Sequence, residues 1–332
     1  MPVAIKKENL VHIVMITDDN YVMPTYIAIK SMFENKKLNS KYKINILTNN
    51  ILEKNVNILT SLSTTNFEIN IINKTEIVDN IGSLNQERHV TPTAILKFFI
   101  PEIFKDLNKI LYLDSDIIVQ KDLSELYNID IKDVYAGVIK DILSIRNLTH
   151  KNKLNMKSKF YFNSGVLLLN LDKMRADLIK DKLVKYRTSK YNYFMDQDAF
   201  NAVLDDNVKY LSYKYNFLNY YLEKMSIKEL SAFFEENMNK TEKDMYKNCT
   251  IIHLGGCPKP WTHNIGYLSD LYIKYAQNTP YKIDKKSLIN TTNKSNAVIL
   301  RQIFSIVNSN DKKHKILTML GIKIKFRRKE YA

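Results

Sequence analysis

The sequence predicts an α/β domain with a mostly parallel central sheet and helices on both faces, followed by a mainly helical, basic C-terminal extension. Two observations support this prediction. Short apolar runs of strand length alternate with helical stretches through the first half of the chain, which is the order of βαβ units. Hydrophobic residues make up 45% of the 332 residues, enough for one large core with an appendage.

The first half of the chain alternates strands and helices. Residues 10–16 (LVHIVMI) form a short apolar run that ends at Thr17-Asp18-Asp19-Asn20, and they predict a buried first strand. Pro24 is compatible with the first turn of the helix that follows. The predicted elements are a strand at 10–16, a helix at 22–35, a strand at 42–48, a helix at 51–63, a strand at 67–72, a helix at 93–105, and strands at 109–114, 134–139 and 162–171.

Beyond residue 171 the pattern changes, and helices dominate. Helices are predicted at 172–188, 196–205, 227–238 and 264–277, with one more short strand at 249–256 that leads into a Gly-Gly turn. We expect a domain over residues 1–280 and an extension over 281–332. Ligands of open α/β sheets bind beyond the carboxyl ends of the strands, so polar residues at those ends are the first candidates for a site.

The C-terminal extension concentrates positive charge. Residues 312–329 hold eight Lys or Arg and no acid, more than half of the net charge of +15, and apolar residues alternate with the basic ones. This composition favours an amphipathic segment on an anionic membrane surface. A solvated basic terminus and a nucleic-acid patch are the alternatives. No apolar run approaches the length of a transmembrane helix and no signal peptide is visible, so we expect a cytoplasmic protein.

Two carboxylates, Asp114 and Asp116, interrupt the apolar run ILYLDSDIIV at 110–119. Burying unpaired carboxylates is costly, and at a strand end both can turn toward one ligand. Two hard oxygen ligands this close suit Mg²⁺ or Mn²⁺. The alternative is that the pair caps a turn, since about one Asp-X-Asp is expected by chance in such a chain. Indeed, residues 196–198 contain a second one.

A histidine and a glycine-rich turn follow the last predicted strand. His253 could complete a metal site with the two aspartates, and Mn²⁺ accepts imidazole more readily than Mg²⁺ does. Gly255 and Gly256 allow a backbone to approach a phosphate closely, and Lys259 supplies a cation. The alternatives are a hydrogen-bonded structural histidine and an ordinary loop packed by Trp261.

Five motifs together resemble those of the family 8 glycosyltransferases, in particular the bacterial lipooligosaccharide galactosyltransferase type. They occur in the family's order and extend over most of 10–265: TDDNY (17–21), LYLDSD (111–116), YFNSGVLLLNL (161–171), DQDAFN (196–201) and HLGGCPKPW (253–261). The resemblance implies a Rossmann-like GT-A fold, a retaining reaction, a UDP-sugar donor and Mn²⁺, with Mg²⁺ as a possible substitute.

The resemblance also implies a role for particular residues. Asp18 would accept a hydrogen bond from the uracil, and Tyr21 would stack on its ring. The full implied set is Asp18, Asn20 and Tyr21 for the uridine, the backbone of Ser115 for the ribose, Asp114, Asp116 and His253 for the metal, Gly256 and Lys259 for the phosphates, and Asn163, Asp141, Asp196 and Gln197 for the donor sugar.

One position departs from the family. An arginine often precedes the metal strand there, and the aligned residue here is Ile95, with Lys97 or Arg88 as candidates to compensate. The donor sugar, galactose or glucose, therefore stays open. For the reaction we expect same-face attack through an oxocarbenium-like state, because the amide of Gln197 is a poor nucleophile. Asp196 is the second choice, as a transient nucleophile.

Other functions remain alternatives at this point. An inverting GT-A transferase or a sugar nucleotidyltransferase would use a similar Asp pair, and a non-catalytic protein could bind a UDP-sugar only. A metal-dependent nucleic-acid-binding protein is disfavoured because the charge lies mainly in the tail and no nucleic-acid-binding signature occurs. The expected acceptor is a glycan or glycolipid of the cell envelope, with the protein peripheral on the cytoplasmic face of the membrane and no nucleic-acid partner.

Overall fold

The structure is a computed structural model that describes residues 9–81, 92–189, 193–238, 241–290, 304–308, 314–319 and 322–327. The chain divides into two compact units, Met1–Gly256 and Cys257–Ala332. This division precedes the boundary that we expect after residue 280, and that boundary stays a prediction.

The first unit contains alternating strands and helices. Its strands are β1 (Asn9–Ile16), β2 (Ser40–Thr48), β3 (Phe67–Asn73), β4 (Lys109–Leu113), β5 (Ile117–Val119), β6 (Ala136–Lys140), β7 (Phe162–Asn170), β8 (Val208–Tyr210), β9 (Phe217–Leu218) and β10 (Ile251–His253). Its helices are α1 (Val22–Asn35), α2 (Glu53–Thr60), α3 (Thr75–Ile81), α4 (Ile100–Ile103), α5 (Ser124–Tyr127), α6 (Leu143–Arg146), α7 (Leu148–Lys153), α8 (Leu171–Ala176), α9 (Ile179–Ser189), α10 (Asp196–Leu204), α11 (Tyr221–Lys224), α12 (Ile227–Phe234) and α13 (Glu242–Asn248).

Seven of these strands form the central sheet, in the order β3-β2-β1-β4-β7-β6-β8. The pairs β1–β2, β2–β3, β1–β4 and β6–β8 are parallel, which confirms the mostly parallel α/β sheet. By contrast, β7 runs antiparallel to both of its neighbours. The amino end of β7 therefore lies at the same edge of the sheet as the carboxyl ends of β4 and β6.

A second, three-stranded sheet has the order β5-β10-β9. Strand β10 is antiparallel to β5, with His253 opposite Ile117, and parallel to β9. The main-chain N–H of Leu254 continues the ladder by donating to Asp116 O at 2.8 Å. This small sheet joins the chain around residue 253 to the segment that directly follows β4.

Two predicted helices differ from the structure. Residues 93–105 form a 3₁₀ helix, Pro92–Phe99, followed by the single α turn α4. Pro101 has no N–H with which to bond the carbonyl four residues earlier, so it interrupts a continuous α-helix here. Residues 172–188 divide into α8 and α9 at Leu178, which has a left-handed φ of 50°.

The core of the first unit lies against the central sheet. Val14 on β1, Leu47 on β2, Tyr112 on β4 and Leu167 on β7 belong to one cluster of buried side chains. Every residue of β6 is buried, as expected for a strand that is covered on both faces. Polar residues just beyond the strand ends are thus fixed to a rigid base.

The described parts of the second unit contain little helix. It contains α14 (Tyr267–Ala276), a 3₁₀ turn (Lys285–Ser287), the parallel pair β11 (His263–Asn264) and β12 (Ile289–Asn290), and an antiparallel sheet of β13 (Phe304–Asn308), β14 (His314–Met319) and β15 (Ile322–Arg327).

The mainly helical character predicted for residues 281–332 is therefore wrong for the parts that the structure describes. The sequence IKIKFR at 322–327 alternates apolar and basic residues with a period of two, which is the period of a strand. Within the described ranges, no helix has both the length and the apolar character needed to span a bilayer.

Candidate active site

A cleft of about 720 Å³ opens where β1, β4, β6 and β10 end and β7 begins. It is the place where an α/β sheet presents its ligand-binding residues. The structure brings most of the predicted site residues into the lining of this one cleft, namely Asp18, Tyr21, Asp114, Ser115, Asp116, Asp141, Asn163, Asp196, Gln197, His253 and Gly256. Asn20 and Lys259 are not among the lining residues.

Asp114, Asp116 and His253 form a compact triad. Asp114 directly follows β4, Asp116 directly precedes β5, and the pairing of β5 with β10 positions His253 beside them. His253 Nε2 lies 3.2 Å from Asp116 Oδ1 and 3.7 Å from Asp114 Oδ2. One ligand atom from each residue can be chosen so that all three lie within 4.8 Å of one another. Two carboxylates and an imidazole suit a hard divalent cation that tolerates nitrogen.

Gly165 on β7 leaves the room that this triad needs. A Cβ at this position would lie 2.2 Å from His253 Cε1 and 2.7 Å from Asp114 Oδ2, both far inside normal contact. The main chain of Gly165 supports the same group, because its carbonyl accepts a 2.8 Å hydrogen bond from Asp114 N. The FNSG sequence therefore provides a cradle that is open only with glycine, and the donor set fits a divalent cation.

Lys97 is a buried cation that sequence reasoning named only as a possible substitute. Its Nζ lies 2.6 Å from Asp196 Oδ2 and 3.4 Å from Asp114 Oδ1, and 4.4 Å from the centre of the Tyr112 ring. Burial opposes the charged form, but the two carboxylates outweigh it and raise the pKa of Lys97. Lys97 thus links the triad with the start of α10.

Ile95 lies outside this cleft and packs against the hydrophobic core instead. The reason is the 3₁₀ helix, whose side chains three residues apart lie on one side. Ala94 and Lys97 therefore both line the cleft. The positive charge at this end of the site comes from Lys97, whereas Arg88 lies outside the described residues.

The other end of the cleft contains Asp141, which directly follows β6 and is fully buried. Burial disfavours its charged form and raises its pKa to about 6, although hydrogen bonds from Leu143 N and the Asn163 amide act in the opposite direction. Tyr220 approaches Asp141 Oδ1 with its hydroxyl at 3.5 Å. A carboxyl of this kind can accept or donate a hydrogen bond near neutral pH.

Asn163 and Gln197 are joined by direct contacts beside Asp141. The Asn163 amide donates to Gln197 Oε1 at 2.9 Å, and Ser164 N donates to the same oxygen at 3.1 Å. Asn163 Oδ1 in turn accepts from Asn216 Nδ2 at 2.8 Å. Asn216 is fully buried and contacts His253, so the two ends of the cleft share one network. Nothing in the sequence motifs pointed to Asn216.

The second Asp-X-Asp of the sequence does not form a metal pair. Asp196 contacts Lys97 and, at 3.0 Å, Ser164 Oγ. Asp198 faces away into the core, where its Oδ1 lies 2.8 Å from His150 Nε2 and accepts from Tyr161 OH at 2.6 Å. Asp198 Oδ2 accepts from Phe194 N, which anchors the cleft-lining loop that precedes α10.

The third part of the cleft lies at the ends of β1 and β4. Asp18 Oδ1 accepts from the main-chain N–H groups of Asn20 and Tyr21, at 2.9 and 3.1 Å, and so forms the turn that begins α1. Ser115 Oγ donates to Ile16 O at 2.9 Å and ties the two strand ends together. Tyr21 is 36% exposed and lines this part of the cleft.

The glycine-containing segment after β10 includes residues of both units. Gly256 lines the cleft with a φ of 71°, a conformation that favours glycine. Lys259 belongs to the second unit, where its Nζ lies 5.3 Å from the centre of the Trp261 ring. The phosphate roles of both residues stay predictions.

Comparisons with known proteins agree with this arrangement. The profile of Glycosyl transferase family 8 matches residues 12–265. General stress protein A of Bacillus subtilis (strain 168) is 25% identical over 294 residues, covering 86% of this chain and 99% of that protein. A lipopolysaccharide 1,2-glucosyltransferase of Escherichia coli is 26% identical over 296 residues, covering 85% of this chain and 84% of that protein.

Solved structures of other proteins have a fold similar to that of this chain. The crystal structure of the galactosyltransferase LgtC in complex with donor and acceptor sugar analogs superposes with a TM-score of 0.65 at 23% identity, covering 83% of this chain and 98% of that one. The bifunctional glycosyltransferase WbbM gives a TM-score of 0.70 at 22% identity, covering 82% of this chain and 50% of that one. At such identities the likeness concerns the fold, and it confirms the expected GT-A architecture.

Proposed function

Since this chain belongs to glycosyl transferase family 8, we propose that it is a retaining hexosyltransferase that uses Mn²⁺, a UDP-sugar donor and a cell-envelope glycan acceptor. The observation that supports this proposal best is the set of residues that line the cleft at the strand ends. It combines a triad fit for a divalent cation with an ion pair between buried Lys97 and Asp196 and with amide groups suited to sugar hydroxyls.

The donor would lie along the cleft, with its nucleoside at the ends of β1 and β4 and its diphosphate beside the triad. Tyr21 offers a ring to the uracil, and the backbone of Ser115 offers hydrogen bonds to the ribose. Asp114, Asp116 and His253 would hold a Mn²⁺ ion, which when bound neutralises charge that develops on the leaving diphosphate. Lys97, Gly256 and Lys259 are the further candidates for stabilising that charge or approaching the phosphates.

The sugar would lie at the end that contains Asp141, Asn163 and Gln197. These residues offer both donors and acceptors, as recognition of hydroxyl groups requires. Galactose and glucose differ in the configuration of one hydroxyl, and a buried carboxyl such as Asp141 can discriminate such a difference.

Retention is best explained by attack of the acceptor on the same face from which UDP leaves. Asp196 is a weak candidate for a covalent nucleophile because its Oδ2 already contacts Lys97 Nζ at 2.6 Å and Ser164 Oγ at 3.0 Å. Gln197 is an amide whose oxygen accepts from two N–H groups. We therefore assign both residues to positioning the sugar, with an oxygen of the leaving phosphate taking the proton of the acceptor.

The acceptor is proposed to be a lipid-linked or envelope glycan. A relative named as a lipopolysaccharide 1,2-glucosyltransferase supports this class, and the basic segment 312–329 would keep the protein near an anionic membrane surface on its cytoplasmic side.

The test is release of UDP from UDP-galactose, UDP-glucose and UDP-N-acetylglucosamine, each with and without Mn²⁺. We expect Mn²⁺-dependent release from one hexose donor, faster with a glycan acceptor. NMR of the product distinguishes retention from inversion, and release of pyrophosphate from UTP and a sugar phosphate would indicate a nucleotidyltransferase. If no donor is turned over while UDP still binds, the chain is a UDP-sugar-binding protein. A glycosyl adduct on Asp196 found by mass spectrometry would overturn same-face attack.

A further inference from the structure

We propose that Asn216 is a positioning residue that fixes the tautomer of His253, so that Nε2 carries the lone pair that faces Asp114 and Asp116. The inference rests on the cation site of the proposed function and extends it to a residue that does not line the cleft. Asn216 is fully buried, and its carboxamide lies between the imidazole of His253 and the side chain of Asn163.

The direction of the hydrogen bonds is set first at Asn163. Gly165 N lies 2.9 Å from Asn163 Oδ1, and a main-chain N–H can only donate, so this atom of the side chain is the oxygen. The amide nitrogen of Asn163 then faces Gln197. The oxygen of Gln197 is identified independently, because Ser164 N donates to it as well. Two main-chain N–H groups therefore identify the oxygen of each of these two side-chain amides, and with it which amide donates to the other.

The same direction extends to His253. Asn216 must present its nitrogen to Asn163 Oδ1, at 2.8 Å, because two carbonyl oxygens at that distance would repel each other. The oxygen of Asn216 consequently faces His253 Nδ1 at 3.0 Å. An amide oxygen only accepts, so Nδ1 carries the hydrogen, and in the neutral ring the lone pair is on Nε2.

The lone pair thus points to the place where a cation would lie. His253 Nε2 is 3.2 Å from Asp116 Oδ1, and the ring is 4% exposed and packed against Gly165. A histidine held in this way needs no rearrangement of its ring to bind an ion. Partners of this kind change metal affinity by about 10- to 100-fold when they are removed.

The first experiment compares two substitutions with a matched control. We expect Asn216→Leu to weaken Mn²⁺ binding, measured from the electron paramagnetic resonance signal of free Mn²⁺ with UDP present, by about 10- to 100-fold. Asn216→Asp keeps an acceptor for the Nδ1 hydrogen but loses the donor to Asn163 Oδ1, so it should retain clearly more Mn²⁺ affinity than Asn216→Leu does. Asn45→Leu removes a buried amide that donates to Ile13 O in the sheet, and it should leave Mn²⁺ affinity unchanged.

Equal losses for Asn216→Leu and Asn216→Asp, or no loss for Asn216→Leu, would overturn the inference. The second experiment needs no variant at position 216. In a two-bond ¹H–¹⁵N spectrum of the metal-free wild type at mildly alkaline pH, with His253 assigned from a His253→Asn variant, Nδ1 should be protonated and Nε2 bare. A protonated Nε2 would contradict the proposal. If the wild type binds no Mn²⁺, the proposed function fails, while the spectrum still decides the tautomer.

Discussion

Asp114 and Asp116 are separated by one residue, yet the protein holds them differently. Asp114 Oδ1 accepts from the buried hydroxyl of Tyr112 at 2.6 Å and lies 3.4 Å from Lys97 Nζ. Burial, followed by the nearby charge of Asp114, raises the pKa of Tyr112 well above its usual value. Asp116 instead faces His253. The carboxylate of Asp114 therefore serves the fold as well as the proposed ion.

The two alanine substitutions should consequently differ in stability. Both Asp114→Ala and Asp116→Ala should lower Mn²⁺-dependent UDP release by at least about 100-fold, since each removes a proposed ligand. Asp114→Ala also removes the acceptor of the buried Tyr112 hydroxyl and one of the acceptors of Lys97, so it should lower the free energy of unfolding by about 1–3 kcal/mol more. Urea unfolding followed by circular dichroism measures the difference, and equal unfolding midpoints would contradict this assignment.

Asp141 should make the stability of the metal-free protein depend on pH. Its pKa is raised from 3.8 to about 6, so between those values the folded state holds a proton that the unfolded chain has lost. Stability due to this group is therefore complete only below about pH 4, falls as the pH rises to about 6 and remains low above that.

Asp141→Asn removes the free-energy cost of burying a charged carboxylate, because the amide does not ionise. We expect the variant to unfold with a free energy about 3 kcal/mol higher than the wild type near pH 7, and with little difference near pH 4. Urea unfolding across this range is the measurement. Asp122→Asn is the control of opposite sign, because hydrogen bonds from Ser124 and Lys37 N outweigh burial and lower the pKa of Asp122. If Asp141→Asn raised the free energy of unfolding equally at every pH, the raised pKa of Asp141 would not be the cause.

Gly165→Ala tests the cradle beneath the triad. Its methyl group would enter the space of His253 and Asp114, and the buried ring of His253 has little room to move away. We expect Mn²⁺ affinity to fall by more than about tenfold, as isothermal titration would show. Gly137→Ala, whose Cβ would meet the flexible side chain of Leu211 at 2.9 Å, should leave Mn²⁺ affinity unchanged. Equal affinity in both variants would mean that the triad is not confined in this way.

The sequence could predict some of these residues and not others. The sequence could predict that Asp114, Asp116 and His253 lie close together, because they fall at the ends of predicted strands of an α/β fold. It could not place Lys97 beside them, because the direction of that side chain depends on a 3₁₀ rather than an α pitch. Asn216 acquires its meaning only from the pairing of β9 with β10, which no local pattern indicates.

At the scale of elements, the sequence indicated the strands well but not their directions. The run at 162–171 predicts a strand, and β7 is found there, but apolar runs carry no information on polarity. Because β7 is antiparallel, its first residues, Asn163 to Gly165, reach the cleft rather than the opposite edge of the sheet. The helix expected at 93–105 failed for a local reason, the missing N–H of Pro101.

The three C-terminal strands also bear on the proposed membrane contact. Deletion of residues 312–332 removes β14, β15 and all eight basic residues of the segment 312–329. At low salt we expect the truncated protein to move from the membrane fraction to the soluble fraction, because electrostatic attraction to anionic lipid is lost. Sedimentation with vesicles that contain phosphatidylglycerol measures this. Replacing only the eight basic residues by glutamine is the matched control and should have the same effect.

Unchanged vesicle binding after the deletion or after the glutamine replacements would contradict the proposed membrane contact of the tail. Turnover of a soluble donor should stay near the wild-type rate in both proteins, since the cleft is lined by residues of the first unit. A loss of turnover together with membrane binding would instead indicate that the second unit supports the fold.

At the scale of the whole molecule, the α/β class and the mostly parallel sheet follow from the order of the elements, and both are confirmed. The sheet order could not be predicted, because β7 is inserted between β4 and β6 by contacts far apart in sequence. The second sheet was also beyond sequence reasoning, since β5 and β9 are only three and two residues long.

UDP and Mn²⁺ should stabilise the whole protein together. With both present at about 100 times their dissociation constants, we expect the melting temperature to rise on the order of 5–10 °C, and less with either alone. Differential scanning fluorimetry measures the shift, and Asp116→Ala should lose the part that requires Mn²⁺. Equal shifts with UDP alone and with both ligands would argue against an ion that contacts the nucleotide.

The pairing of β5 with β10 determines when, during synthesis of the chain, the site can be completed. A nascent chain that has emerged from the ribosome through β8 has released both aspartates, Lys97 and the residues proposed to bind the sugar, but not His253. The nascent chain can bury its large sheet at that stage, yet its cleft lacks one wall and one candidate ligand. Completion of the site therefore waits for the last strand of the first unit, and binding of a cation by all three residues would mark a finished domain.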